Sequence, residues 1–139
     1  MEEIKPRISK QILIIRKDLG MRRGKQIAQG SHASLKVLLD MMNPHPNESG
    51  QEERTLYIDH GSALDDWING RFTKICVSVD SLDELTAIYE KAKSAGILCS
   101  LITDAGLTEF NGVPTITCAA IGPCWSTEVD PITGHLKLL

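Results

Sequence analysis

Residues 73–103, TKICVSVDSLDELTAIYEKAKSAGILCSLIT, contain three elements in a row. TKICVSVD (73–80) is dense in β-branched residues and predicts a strand. Ser81 and Glu84 then form a capping-box pattern, and the helix they open ends at Gly96. ILCSLIT (97–103) predicts the next strand, so the stretch is a β-α-β unit whose two strands run parallel through a right-handed crossover.

Elements on either side extend this unit. QILIIR (11–16) is a short continuous apolar run, as expected of a strand covered on both faces. It leads into DLGMRRG and a helix predicted from about Lys25 to Met42. At about 100° per residue, Ile27, Ser34, Leu35, Leu38, Met41 and Met42 fall on one side and are expected to face the core. Lys25, Gln29, His32 and Lys36 line the other side, with small residues Ala28, Gly30, Ser31 and Ala33 on the flanks. Residues 43–54, NPHPNESGQEER, read as a loop. A short helix is predicted from Ser62 as N-cap to just before Gly70. TITCAAIG (115–122) is a further strand, and the tail from 123 reads as irregular with a short edge strand in its last residues. The expected fold is α/β: a single three-layer domain over 1–139, a mixed four-stranded sheet with helices on both faces. Residues 1–9 are expected to be flexible, and 43–70 to form a longer acidic connection.

Composition excludes several classes. A chain of 139 residues with net charge −3 is not a generic polyanion binder. The first ten residues are too polar for a signal peptide, and no apolar run approaches a membrane span. Cys76, Cys99, Cys118 and Cys124 form no CxxC pair; buried reduced thiols and a cytoplasmic location are expected. His32, His45, His60 and His135 are scattered without ligand spacing, so neither a metal nor a cofactor is expected. GMRRGK (20–25) is not a P-loop: three residues separate the glycines and Gln26 follows the lysine, so no hydroxyl is placed for Mg²⁺. Ser31 and His32 are adjacent on a helix and point about 100° apart, which argues against a Ser-His pair.

Two features carry chemistry. Lys17, Arg22, Arg23 and Lys25 crowd one turn of an acidic protein, which points to a few phosphates bound in one place. Ligands of such sheets bind beyond the carboxyl ends of parallel strands. If the strands at 11–16 and 97–103 run the same way, Lys25, Asp104 and Thr108 meet at one edge. Such a set suits hydrolysis of an activated ester: Asp104 to orient Lys25 or a water, Lys25 to steady the oxyanion, Thr108 to position water or substrate. Against this, Asp104 in DAG is also a common turn-forming residue.

RKDLGMRRGKQIAQGSHAS (16–34), SLITDAGLTEF (100–110), IGP (121–123) and TGHLKLL (133–139), in that order, resemble the peptidyl-tRNA hydrolase 2 family, from Lys10 onward. The resemblance implies a metal-independent hydrolase of the ester between a peptide, or an N-blocked amino acid, and the terminal ribose of tRNA, often acting as a homodimer. It implies Lys25, Asp104 and Thr108 as catalytic residues. Arg22, Arg23, Gln29, Ser31, His32 and Lys36 are the expected contacts to tRNA, the partner implied. Many members carry arginine where Leu107 stands and an amide where Glu109 stands. With the acidic 43–72 segment, these departures motivate the alternative, a non-catalytic RNA- or protein-binding module on the same fold. A small-ligand regulatory domain is a second rival.

Overall fold

The structure is a computed structural model and describes residues 7–107 and 109–139. Its seven strands are β1 (Ser9–Arg16), β2 (Asn43–Pro46), β3 (Glu52–Thr55), β4 (Lys74–Val79), β5 (Cys99–Asp104), β6 (Thr115–Trp125) and β7 (Lys137–Leu138). Its α-helices are α1 (Arg23–Met41), α2 (Ala63–Ile68), α3 (Leu82–Ser94) and α4 (Ser126–Thr133). The main sheet has the order β5-β6-β1-β4-β7. β1 and β4 are parallel, whereas β6 runs antiparallel to both β1 and β5. The β4-α3-β5 unit therefore has parallel strands, as read from the sequence, but its crossover passes over β1 and β6. The sheet has five strands rather than four; the fifth is the short edge strand β7, paired with β4 at Val77 and Ser78.

Strict alternation along β1 divides the interior into two cores. Ile12 and Ile14 join Val77, Leu85, Ile88, Val129 and Ile132 on the side of α3 and α4. Leu13 and Ile15 join Met21, Ala33, Val37, Cys118 and Ala120 beneath α1. Local signals place the helix starts. Ser62 Oγ accepts from Asp65 N at 3.1 Å, and Ser81 Oγ accepts from Glu84 N at 3.0 Å. The Glu84 carboxylate reaches back to Asp80 N at 3.1 Å, one residue beyond the usual capping-box partner, the N-cap Ser81.

Four expectations are corrected. α1 does not bury the apolar arc: its buried residues are Gln29, Gly30, Ala33 and Val37, and Ile27 is 64% exposed. Small side chains decide this, because Gly30 and Ala33 let the helix approach Leu13 and Ile15 closely. The predicted loop at 43–54 contains the β2–β3 hairpin, closed by the Asn47 side chain, which accepts from Ser49 N and Gln51 N. The tail contains α4, whose Val129 and Ile132 cover the sheet. The four cysteines are free but not all buried: Cys76 is exposed and Cys99 half-buried. Burial pushes the Cys118 thiol up to about 11 and that of Cys124 up to about 12, so both stay protonated at neutral pH.

Ile14 and Leu85 lie on opposite walls of one core and are wholly buried. Truncating either to alanine is expected to lower unfolding free energy by about 2–5 kcal/mol, read from urea midpoints at constant m.

Candidate active site

β1 and β5 run the same way on either side of β6, so the turn after β1 and the loop after β5 emerge at one sheet edge. In the first of these, Arg16 grips Asp18 through two bonds of 3.2 and 2.7 Å and donates to Ile116 O at 2.9 Å. Gly20, with φ +62°, ends the single turn of tight helix at 17–19 and lets the chain enter α1. In the second, the chain folds back on itself through Gly112 N to Gly106 O at 2.8 Å and Val113 N to Phe110 O at 3.0 Å. Gly106 has φ +80°, and a Cβ there would sit 2.2 Å from Val113 O, so only glycine fits this turn.

Lys25 Nζ from the first turn of α1 donates to Asp104 Oδ1 at 3.0 Å across 79 positions of sequence. Gln29 Nε2, one turn further, donates to the same oxygen at 3.2 Å, and Gly106 N donates to Oδ2 at 2.8 Å. One Asp104 oxygen thus closes the DAG turn and the other faces Lys25. The bonds from Lys25 and Gly106 hold the Asp104 carboxyl below the usual carboxylate range. It is therefore an ionised anchor near neutral pH. Lys25 also lies 5.8 Å from the centre of the Phe110 ring, which turns the loop's aromatic face toward the ammonium.

The other predicted residues spread out from this centre. Gln29 is only 1% exposed and its amide is engaged from both ends, so it lies under Asp104 instead of on an open face. Arg22 pairs with Glu109 at 2.9 Å, tying the start of α1 to the same loop. Arg23, two residues before Lys25 and so about 200° around the helix, lines an apolar groove on the far flank. Ser31 donates to Ile27 O at 2.8 Å on that flank. His32 and Lys36 are exposed along the outer ridge, and Lys36 pairs with Asp40 at 3.0 Å. Lys36 is about 16 Å along the helix from Lys25, too far to share its substrate atom. Thr108 lies outside the described residues. Leu107, 86% exposed, caps the outside of the loop.

Sequence reasoning missed Thr117, whose hydroxyl lies 2.5 Å from Gln29 Oε1, and Cys118, whose thiol lies 3.2 Å from Gln29 O. The signal available was a hydroxyl and a thiol side by side in an otherwise apolar strand, which strand periodicity alone assigns to opposite faces. Among the described residues, no group of three or more His, Cys, Asp or Glu side chains is arranged to hold a metal ion.

Because Asp104 titrates lower in the folded chain than in the unfolded one, its interactions stabilise the fold above the usual carboxylate range. That contribution is lost as pH falls through the depressed folded value. The stability difference between the wild type and Asp104→Asn is expected to be constant from pH 8 to about 5 and to shrink only below about 4, measured by urea unfolding at each pH.

The family model described as Peptidyl-tRNA hydrolase PTH2 matches residues 9–139. A peptidyl-tRNA hydrolase of Methanocaldococcus jannaschii is 42% identical over 94% of this chain and 99% of its own length. Those of Sulfurisphaera tokodaii and Metallosphaera sedula are 39% and 37% identical, each over 94% of this chain and 98% and 99% of their own lengths. A solved structure of an Agrobacterium protein of unknown function superposes with a TM-score of 0.54 at 14% identity, covering 94% of this chain and 97% of that one, a likeness of fold alone. The match across nearly the whole chain, together with these relatives, shows that the protein belongs to the peptidyl-tRNA hydrolase PTH2 family.

Proposed function

We propose that this chain cleaves the ester joining a peptide, or an N-blocked amino acid, to the 3′-terminal ribose of tRNA, without a metal. The observation that carries this reading is the Lys25–Asp104 pair at the sheet edge where β1 and β5 end. In the reaction, water adds to the ester carbonyl, the carbonyl–O3′ bond breaks, and a free peptide and a tRNA hydroxyl result. Negative charge grows on the carbonyl oxygen as water adds, and an ammonium fixed in advance stabilises it. Lys25 supplies that ammonium. Asp104, held ionised by its donors, keeps the ammonium in place. Thr108, four residues beyond Asp104, positions the water or the ester.

Recognition of tRNA needs only local phosphate contacts, so a net charge of −3 is no obstacle. Arg22 and the start of α1 supply positive potential beside the loop. A phosphate reaching Arg22 competes there with Glu109. His32 and Lys36 continue the polar ridge along which an acceptor stem lies, with Arg23 and Ser31 at its margin. The place of action is the cytoplasm, where translation provides the substrate and free thiols persist. No described helix is long and apolar enough to cross a membrane.

The working unit is a homodimer. Its support is the groove on the flank of α1 away from Asp104, about 590 Å³, walled by Ile27, Leu35, Trp67, Phe72 and Leu139. Ile27, Leu35, Phe72 and Leu139 are all large apolar side chains left exposed.

The purified protein is expected to release N-acetylated amino acid from N-acetylaminoacyl-tRNA. Substrate left intact at concentrations where a known peptidyl-tRNA hydrolase clears it would overturn the reading. Lys25→Ala is expected to lower kcat by about 10²–10³-fold. Asp104→Asn is expected to lower turnover more than tRNA affinity, and equal losses would make Asp104 structural. For the dimer, sedimentation equilibrium is expected to give twice the chain mass for the wild type and a monomer for Ile27→Asp with Leu35→Asp.

A further inference from the structure

The start of β6 departs from the alternation seen in the rest of the strand. Cys118 and Ala120 belong to the core under α1, whereas Ala119 and Ile121 belong to the core under α3 and α4. Alternation would turn Thr117 toward α3. Instead, Thr117 and Cys118 both reach Gln29 of α1, through its side-chain oxygen at 2.5 Å and its backbone oxygen at 3.2 Å. The cause is a β-bulge. β5 pairs Ile102 with Cys118 and then Thr103 with Ile116, so Thr117 is an extra residue with no partner across the ladder. Bulges re-aim side chains in this way, often beside active sites.

The re-aimed hydroxyl holds the far end of an amide whose direction Asp104 sets, because an ionised carboxylate can only accept. Thr117 is wholly buried, and its hydroxyl donates to Gln29 Oε1. With its oxygen taken as acceptor, the Gln29 amide presents its NH₂ in the opposite direction, where Asp104 Oδ1 accepts at 3.2 Å. A rotated amide would set its oxygen against the Asp104 carboxylate, whereas in the observed orientation both ends of the amide are satisfied and the Thr117 hydroxyl anchors the oxygen end. Lys25 is the charged group from α1 on Asp104, and Glu109 of the adjoining loop is engaged by Arg22.

We propose that Thr117 is a positioning residue of the hydrolase site: its hydroxyl fixes the Gln29 amide and, through it, the carboxylate of Asp104 that holds Lys25. The proposal rests on the reading of Lys25 and Asp104 as the working pair. It also moves Gln29 from the acceptor stem to the support of Asp104, and gives the bulge in β6 a purpose. Thr117→Val keeps shape and removes the donor, whereas Thr117→Ser keeps the donor and removes a methyl group.

The test follows the Asp104 carboxyl by NMR in protein labelled with ¹³C at aspartate, its signal assigned by loss in Asp104→Asn. Thr117→Val is expected to raise the Asp104 titration midpoint by a few tenths of a pH unit, about what loosening one hydrogen bond to the ionised form gives. Thr117→Ser is expected to restore it. On N-acetylaminoacyl-tRNA, kcat of the valine variant is expected to fall about three- to tenfold with KM within about twofold, again restored by serine. A valine variant that melts earlier but keeps the wild-type midpoint and kcat would overturn the proposal, leaving Thr117 a packing residue. Thr117→Ala removes the same hydroxyl with a smaller side chain and serves if the valine variant does not fold. Should the wild type cleave no ester, the functional reading fails, while the carboxyl titration still decides the role of Thr117.

Discussion

A single antiparallel strand, β6, separates the carboxyl ends of β1 and β5, and that spacing governs the rest of the site. Neighbouring strands lie about 4.8 Å apart, so the two ends stand roughly 10 Å from each other. A lysine at the start of the helix after β1 spans this gap, and Gln29 one turn on reaches the same carboxylate. Asp104 meets it as the last residue of β5 and also closes the DAG turn beyond. One carboxylate thus joins two loops that the sheet alone only brings near. Arg22 and Glu109 make the same connection at the surface, where solvent weakens it.

Much of this was legible in the sequence. The β-branched density of 74–79, the caps at Ser62 and Ser81 and the apolar run of β1 are local signals, and local structure followed them. The juxtaposition of Lys25 and Asp104 followed from the rule that ligands gather where parallel strands end. That rule needed only the relative direction of two strands, not their order in the sheet. The order was not legible. Nothing in residues 73–103 says that β6, later in the chain, will insert between β5 and β1.

The reading of α1 failed for a different physical reason. A hydrophobic arc marks what a helix prefers to bury, but Gly30 and Ala33 mark where another surface can come closest. Here closeness won, and the arc holding Ile27 and Leu35 was left to wall a groove. The polar stripe was divided by the same rotation. Lys25, Gln29, His32 and Lys36 share one line on a helical projection, yet that line runs along the boundary between core and solvent. Gln29 falls on the inner side and His32 on the outer. A buried glutamine needs partners for its whole amide, and Asp104 and Thr117 are those partners.

The extra residue in β6 also bears on how a chain of this fold can change length. The β2–β3 hairpin stands outside the main sheet with both strands largely exposed, and residues gained or lost there shift nothing in the cores. The beginning of β6 has no such latitude. Deleting one residue between Thr115 and Cys118 would remove the irregular step, restore plain alternation and carry the hydroxyl away from α1. Inserting one would move every side chain before it to the opposite face. Insertions and deletions in this fold are therefore free to accumulate at the hairpin, while the three residues after Thr115 form a stretch whose count, more than its composition, is constrained.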